Sequence, residues 1–323
     1  MLESAGTPTL YLSFSALVVV MLAIDFFGLK TAGDHKVGTR EAALWSLVWI
    51  TVALAFGGWF YWYVEGIAGP VVARDKALEY LTGYLIEKSL AVDNVFVWIT
   101  LFSFFSVPPQ YQKRVLMYGV LGAIVMRAIL IFLGALLLAR FHWILYVFGL
   151  FLLYTGIQML MSAGSQPDLA DNKVLKWLRG HMRITDDYHG ERFFVMRNGL
   201  RHATPMFIVL IMVEITDLIF AVDSIPAIFA VTNDPFIVFT SNVFAILGLR
   251  AMYFLLADMA DRFHLLKYGL AAILIFIGIK MLLLDIYKIP TGIALGAVGA
   301  ILVISVIASL VTTRPQKTPP PAP

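Results

Sequence analysis

The chain has 323 residues, of which 60% are hydrophobic and only 14% charged, with a formal net charge of +3. Soluble globular proteins are about 45–50% apolar and about 25% charged. The excess excludes a soluble enzyme, a disordered chain and a disulfide scaffold, and makes a bilayer the natural solvent. With no cysteine, the chain can hold no thiolate metal site, iron–sulfur cluster or catalytic thiol. No basic run interleaved with aromatics offers a face for nucleic acid.

Windows of about 20 apolar residues predict an all-α polytopic membrane protein with about nine transmembrane helices. In chain order they cover 8–29, 42–64, 79–104, 115–138, 143–162, 204–231, 236–257, 266–286 and 290–312. The first reads as a retained span and not a signal peptide, since no Lys or Arg precedes it and its apolar run exceeds a typical signal core. The second closes on Trp59, Tyr61, Trp62 and Tyr63, an interfacial aromatic belt. Between the fifth and sixth spans lies the one long loop, 163–203. It reads as a connector, with a regulatory or metal-sensing role as the alternative, and holds an amphipathic stretch, Val174-Leu175-Lys176-Trp177-Leu178, suited to a membrane surface. A proline-rich tail, 313–323, reads as disordered.

Basic residues orient the chain. Placing the N-terminus outside puts sixteen of the 24 Lys and Arg on the cytoplasmic side, against Arg74, Lys76, Arg140 and Lys288 outside. That is a clear positive-inside bias, with the C-terminus cytoplasmic.

Two parts of the chain echo one another. Ala91-Val92-Asp93-Asn94 returns as Ala221-Val222-Asp223-Ser224, and Glu87 and Asp217 each stand six residues before the aspartate. Arg127-Ala128 corresponds to Arg250-Ala251, and Arg140-Phe141-His142 to Arg262-Phe263-His264. Gly156-Ile157-Gln158-Met159-Leu160 corresponds to Gly278-Ile279-Lys280-Met281-Leu282. Each unit holds three spans, an odd number, so the two must enter the membrane from opposite sides. The expected organisation is two leading helices (1–78), a first three-helix repeat (79–162), the loop (163–203), an inverted second repeat (204–289), a last helix (290–312) and the tail (313–323). Inverted repeats are the construction of secondary transporters, with substrate held near the midplane.

That midplane is acidic. The third span carries Glu87, Lys88 and Asp93, and the sixth carries Glu214, Asp217 and Asp223. At about 2.5–3.5 kcal/mol for each central acid, five facing lipid alone cost roughly 12–18 kcal/mol. Bound cations, protons, or Lys88, Arg127 and Arg250 must neutralise them. Glu87 and Asp93 are six apart and do not share a helix face, so they converge only if the helix is broken or two helices cross. Pro226 removes a backbone donor three residues past Asp223, which predicts an unwound turn there. Asn94 and Ser224 add neutral oxygens. Three readings stand: a structural ion-pair network, a proton relay, and a cation site built from Glu87, Asp93, Glu214, Asp217, Asp223, Asn94 and Ser224. All six histidines fall in loops or at span ends. The donors are therefore all oxygen, which suits Mg2+, Ca2+ or Mn2+ over zinc and copper.

Asp25 reads as solvated or paired with Lys30, and Phe96, Phe220, Phe229 and the methionines as packing or lipid-facing. No P-loop or catalytic motif is visible, so the expectation is a non-enzyme, with no prosthetic group, whose partners are a divalent ion and the bilayer. Nothing in the pattern specifies an oligomeric state.

Glu87-Lys88-Ser89-Leu90-Ala91-Val92-Asp93-Asn94-Val95-Phe96 and Glu214 through Pro226 resemble the two signature segments of the TerC family, closest to its Alx branch of bacterial inner-membrane proteins. The likeness extends through Ser241-Asn242-Val243-Phe244-Ala245-Ile246-Leu247-Gly248-Leu249-Arg250-Ala251. It implies an exporter of cytoplasmic Mn2+, within a family named for tellurium resistance and alkaline response. It further implies that Glu87, Asp93, Glu214, Asp217 and Asp223 handle the transported metal.

Overall fold

Proline opens most of the long helices, because its missing N–H falls where an α-helix leaves donors unpaired anyway. The computed structural model describes residues 4–28, 38–141, 143–161, 173–197, 199–257 and 265–312. In it, prolines stand at the start of α1 (Pro8–Gly28), α3 (Pro70–Phe104), α4 (Pro109–Arg140), α7 (Pro205–Phe229) and α8 (Pro235–Leu247). The other helices are α2 (Thr39–Ala68), α5 (Ile144–Met161), α6 (Lys173–His181), α9 (Leu249–Ala257), α10 (Leu266–Leu282) and α11 (Thr291–Thr312). One antiparallel hairpin, β1 (Phe194–Arg197) and β2 (Leu200–Ala203), precedes α7. Gly69 separates α2 from α3 at φ +83°, a conformation glycine adopts without the strain a Cβ would bring.

The protein is a multi-pass, all-helical membrane protein. Among the described residues, α1, α2, α4, α5, α7 and α11 are long and apolar enough to cross a bilayer. α8 and α9, bent by 40° at Gly248, make a seventh if they form one broken span. Each expected window is thus occupied by helix, but length and composition support six or seven spans, not nine. α3 falls outside that group because Glu87, Lys88 and Asp93 sit in its apolar half, and α10 because it has 17 residues. α3 also begins at Pro70, nine residues earlier than its apolar window, since Arg74, Asp75, Lys76 and Glu79 are helical despite their charge.

α3, α4, α7 and α8 pack together at the centre. α8 is buried along almost its whole length. α1 and α2 lean on this centre through a cluster of rings from Phe14, Phe56, Phe60, Tyr80, Phe236 and Phe244. α5 and α10 form the closest helix pair. A Cβ on Gly278 would stand 2.8 Å from the Leu153 nitrogen and 2.9 Å from the Gly149 oxygen, so glycine is what permits the approach. Large apolar side chains such as Leu136, Tyr154 and Val311 remain exposed on α4, α5 and α11, as lipid-facing surfaces require.

Three expectations need correction. α7 runs unbroken through Asp223 and Pro226, so there is no unwound turn. Membrane helices tolerate an internal proline where packing surrounds the freed carbonyl, and Ser224 through Phe229 are all buried. The break lies instead at Gly248. The 163–203 segment is not a bare connector: α6 and the hairpin form in it, and Leu175 and Leu178 of the amphipathic stretch are buried, α6 packing on α7. Asp25 is neither solvated nor resolved as a Lys30 partner; it is buried and its Oδ2 lies 3.1 Å from Nε of Arg250. Lys30, His142, Arg262, Phe263, His264 and the tail 313–323 lie outside the described residues.

Candidate functional site

Two helices far apart in the chain bring the acids together. α3 supplies Glu87, Asp93 and Asn94, and α7, packed against it, supplies Asp217, Asp223 and Ser224. Convergence therefore comes from neighbouring helices, with both left intact. Between them and α5 lies a cavity of about 270 Å3. Glu87, Asp93, Asn94, Asp223 and Ser224 line it, five of the seven residues expected at the site.

The remaining two are placed differently. Asp217 is buried behind the cavity, where Nη2 and Nε of Arg127 donate to its two carboxylate oxygens at 2.9 and 3.2 Å. Asn94 Nδ2 also donates to Asp217 Oδ1, at 2.9 Å. Glu214 stands apart, its carboxylate against Gly122 of α4. Among the described residues, no three acids or histidines stand close enough to form a preformed multi-carboxylate metal cage.

Arg127 organises the site. It is 1% exposed, pairs with Glu87 as well as Asp217, and donates through Nη1 to Asn242 Oδ1 at 3.2 Å. The other bases expected to neutralise the acids point elsewhere. Lys88 Nζ donates to the Ala245 carbonyl at 3.2 Å, at the end of α8, and Arg250 is held by Asp25. One guanidinium therefore serves two buried carboxylates, and Asp93 and Asp223 have no basic partner among the groups lining the cavity.

Acceptors are left over. Glu87 Oε2 and Asn94 Oδ1 are buried without a hydrogen-bond partner, on residues that are 0% and 1% exposed and line the cavity. A buried acceptor without a donor costs about 1–3 kcal/mol, and a cation in the cavity would relieve it. The chemistry on offer is that of a largely apolar pocket that carries a few acceptors and a net negative charge.

α5 adds residues that the acid pattern did not identify. Thr155, Gln158 and Met159 line the cavity, with Phe220 of α7 and Leu274 of α10. Phe220 thus lines the site as well as packing, and Met159 places a thioether residue among the cavity's lining. The polar Gln158 within an apolar span was the available signal for α5.

Comparisons with known proteins agree with one another. A profile described as the integral membrane protein TerC family matches residues 72–317. Alx of Escherichia coli strain K12 is 58% identical over 306 residues, 95% of each chain, and carries the provisional description of a membrane-bound redox modulator. Alx of Photorhabdus laumondii is 53% identical over 98% of this chain and 99% of its own, and an uncharacterized membrane protein of Myxococcus xanthus is 44% identical over 98% and 96%. No solved structure gives a significant match.

Proposed function

The chain belongs to the TerC family of integral membrane proteins, and on that footing we propose that it is a secondary transporter that exports Mn2+ from the cytoplasm through the α3–α5–α7 cavity. The observation that carries this reading is the cavity itself: Asp93 and Asp223, neither in an ion pair with the one base lining it, Arg127, stand beside the orphaned oxygens of Glu87 and Asn94. Carboxylates that bind a metal must shed protons to do so, so exchange of metal for protons is the natural coupling. The protein would sit in the bacterial inner membrane, N-terminus outside and C-terminus cytoplasmic, with α3 and α10 completing nine spans.

The echo supports an inverted repeat. Asp93 and Asp223 hold matching places and meet in one cavity, and α5 and α10, the third helices of the two units, pack through Gly156 and Gly278. Their arginines differ in a useful way. Continuous α4 brings Arg127 to Asp217, whereas broken α8–α9 turns Arg250 to Asp25. Like halves held in unlike arrangements are what alternating access between inward and outward states requires.

A second reading, a membrane scaffold with structural acids, draws on the Arg127–Glu87–Asp217–Asn94 network. It does not account for Asp93 and Asp223. The redox description of the Alx relatives cannot extend to thiol chemistry here, because the chain has no cysteine. Purified protein in liposomes, tested for flux of Mn2+, Mg2+, Ca2+ and Zn2+ at several pH values, separates the readings. Mn2+ moves with the wild type and stops with Asp93→Asn or Asp223→Asn, both still inserted. Undiminished flux in both variants would refute the site.

A further inference from the structure

We propose that Met159 sets the selectivity of this cavity, favouring transition-metal divalents such as Mn2+ over the alkaline-earth ions Ca2+ and Mg2+. The inference rests on the cation-transport reading and names what distinguishes its substrate. Carboxylate, amide and hydroxyl oxygens accept all three ions, so the acids alone do not discriminate. Met159 is the one thioether among the residues lining the cavity.

Its placement is specific. Thr155 and Met159 are four apart on α5 and share a helix face, and both line the cavity together with Asp223. Thr155 lies beside the Asp223 carboxylate, which places that face of α5 next to the acid, and its hydroxyl also donates to Phe151 O of its own helix at 2.9 Å. Met281, at the matching place in the second unit, is fully buried and packs on Gly149, so the cavity receives one sulfur and not two. Glu87 Oε2 and Asn94 Oδ1, buried on residues that line the same cavity, have no hydrogen-bond donor and add oxygen acceptors beside the thioether.

The physical basis is donor hardness. Ca2+ needs six to eight oxygens and Mg2+ a near-ideal octahedron of them. A thioether in the shell takes an oxygen position from either and returns little. Softer ions gain from sulfur, so the same substitution costs them less. Met159 would thus disfavour hard ions while oxygens of Asp93, Asp223 and Asn94 supply the affinity.

The test uses Cd2+ and Ca2+, which are nearly equal in size and differ in softness. Mn2+ binding to the purified full-length protein is followed by loss of the free-ion electron paramagnetic resonance signal, then competed with each ion. In the wild type, Cd2+ displaces Mn2+ at a concentration at least about tenfold below Ca2+. Met159→Leu, close in volume and without a donor, weakens Mn2+ binding by less than it weakens Cd2+ and brings the two competitors within about threefold. Met159→Gln supplies an oxygen instead and shifts the ratio further toward Ca2+, which keeps the question open to a decision if the leucine variant misfolds. An unchanged ratio in the variants, equal competition in the wild type, or no Mn2+ binding at all overturns the proposal. Normal binding and a Met159-dependent ratio without liposome flux would instead remove transport and leave the selectivity assignment standing.

Discussion

Arg127 has more partners than any other charged residue at the site, and its loss should be felt first in folding. Removing one member of a buried pair leaves uncompensated charge, at about 3–5 kcal/mol. Arg127→Gln strands both Glu87 and Asp217, so its thermal unfolding midpoint in detergent should fall well below that of Asp217→Asn, which strands neither arginine nor Glu87. Glu214 gives the opposite expectation. It sits against Gly122 and not on the cavity wall, so Glu214→Gln should keep Mn2+ binding within about twofold of wild type where Asp223→Asn loses it. Equal loss in both, measured by the same resonance titration, would place Glu214 in the site after all.

At the scale of elements, glycines and the 163–203 loop carry the expectations. Gly278→Ala drives a methyl into the α5 backbone, and overpacking of this kind costs about 1–3 kcal/mol. Gly122→Ala meets only the end of the Glu214 side chain, which can swing aside, so its midpoint should change far less. The loop is latched by Tyr188, whose hydroxyl donates to Phe105 O at 2.7 Å, and by the Arg114–Glu191 pair at 3.0 Å. Burial pushes the Tyr188 hydroxyl up to about 12 from its ordinary value near 10. The folded form therefore holds its proton more tightly than the unfolded one, and this contribution is complete below pH 10 and lost as pH rises through 12. Tyr188→Phe should quicken proteolysis of the loop at neutral pH without altering helix content by circular dichroism.

For the molecule as a whole, orientation is directly testable, because a chain without cysteine is a clean background for labelling. Thr7→Cys and Asp187→Cys introduce single thiols at exposed positions on opposite sides of the expected membrane. A membrane-impermeant maleimide should label the first in intact cells and the second only after permeabilisation; the reverse pattern would invert the topology. Much of this architecture is legible in the sequence, since hydropathy marks a helix at every window and the echo brings Asp93 and Asp223 into correspondence. What stays hidden has physical causes. Asp25 lies in α1, outside the repeat, so no internal echo points to Arg250 as its partner. Pro226 marks a lost donor, but only the surrounding packing decides whether the helix breaks. Methionine reads alike as core, lipid face or ligand, and the neighbouring helices alone single out Met159. The direction of Lys88 was readable: one residue turns an α-helix by about 100°, so it could not share the face of Glu87.

That last relation has a mechanical consequence. Glu87 grips Arg127 on one side of α3, while Lys88, the next residue, caps the carbonyl end of α8 beside the Gly248 bend, where a Cβ would stand 2.7 Å from its Nζ. α3 thus acts as a camshaft with two lobes set about 100° apart. A twist of α3 that withdrew Glu87 from its arginine would also move the lysine against the joint between α8 and α9, so pocket and bend are linked through a single peptide unit.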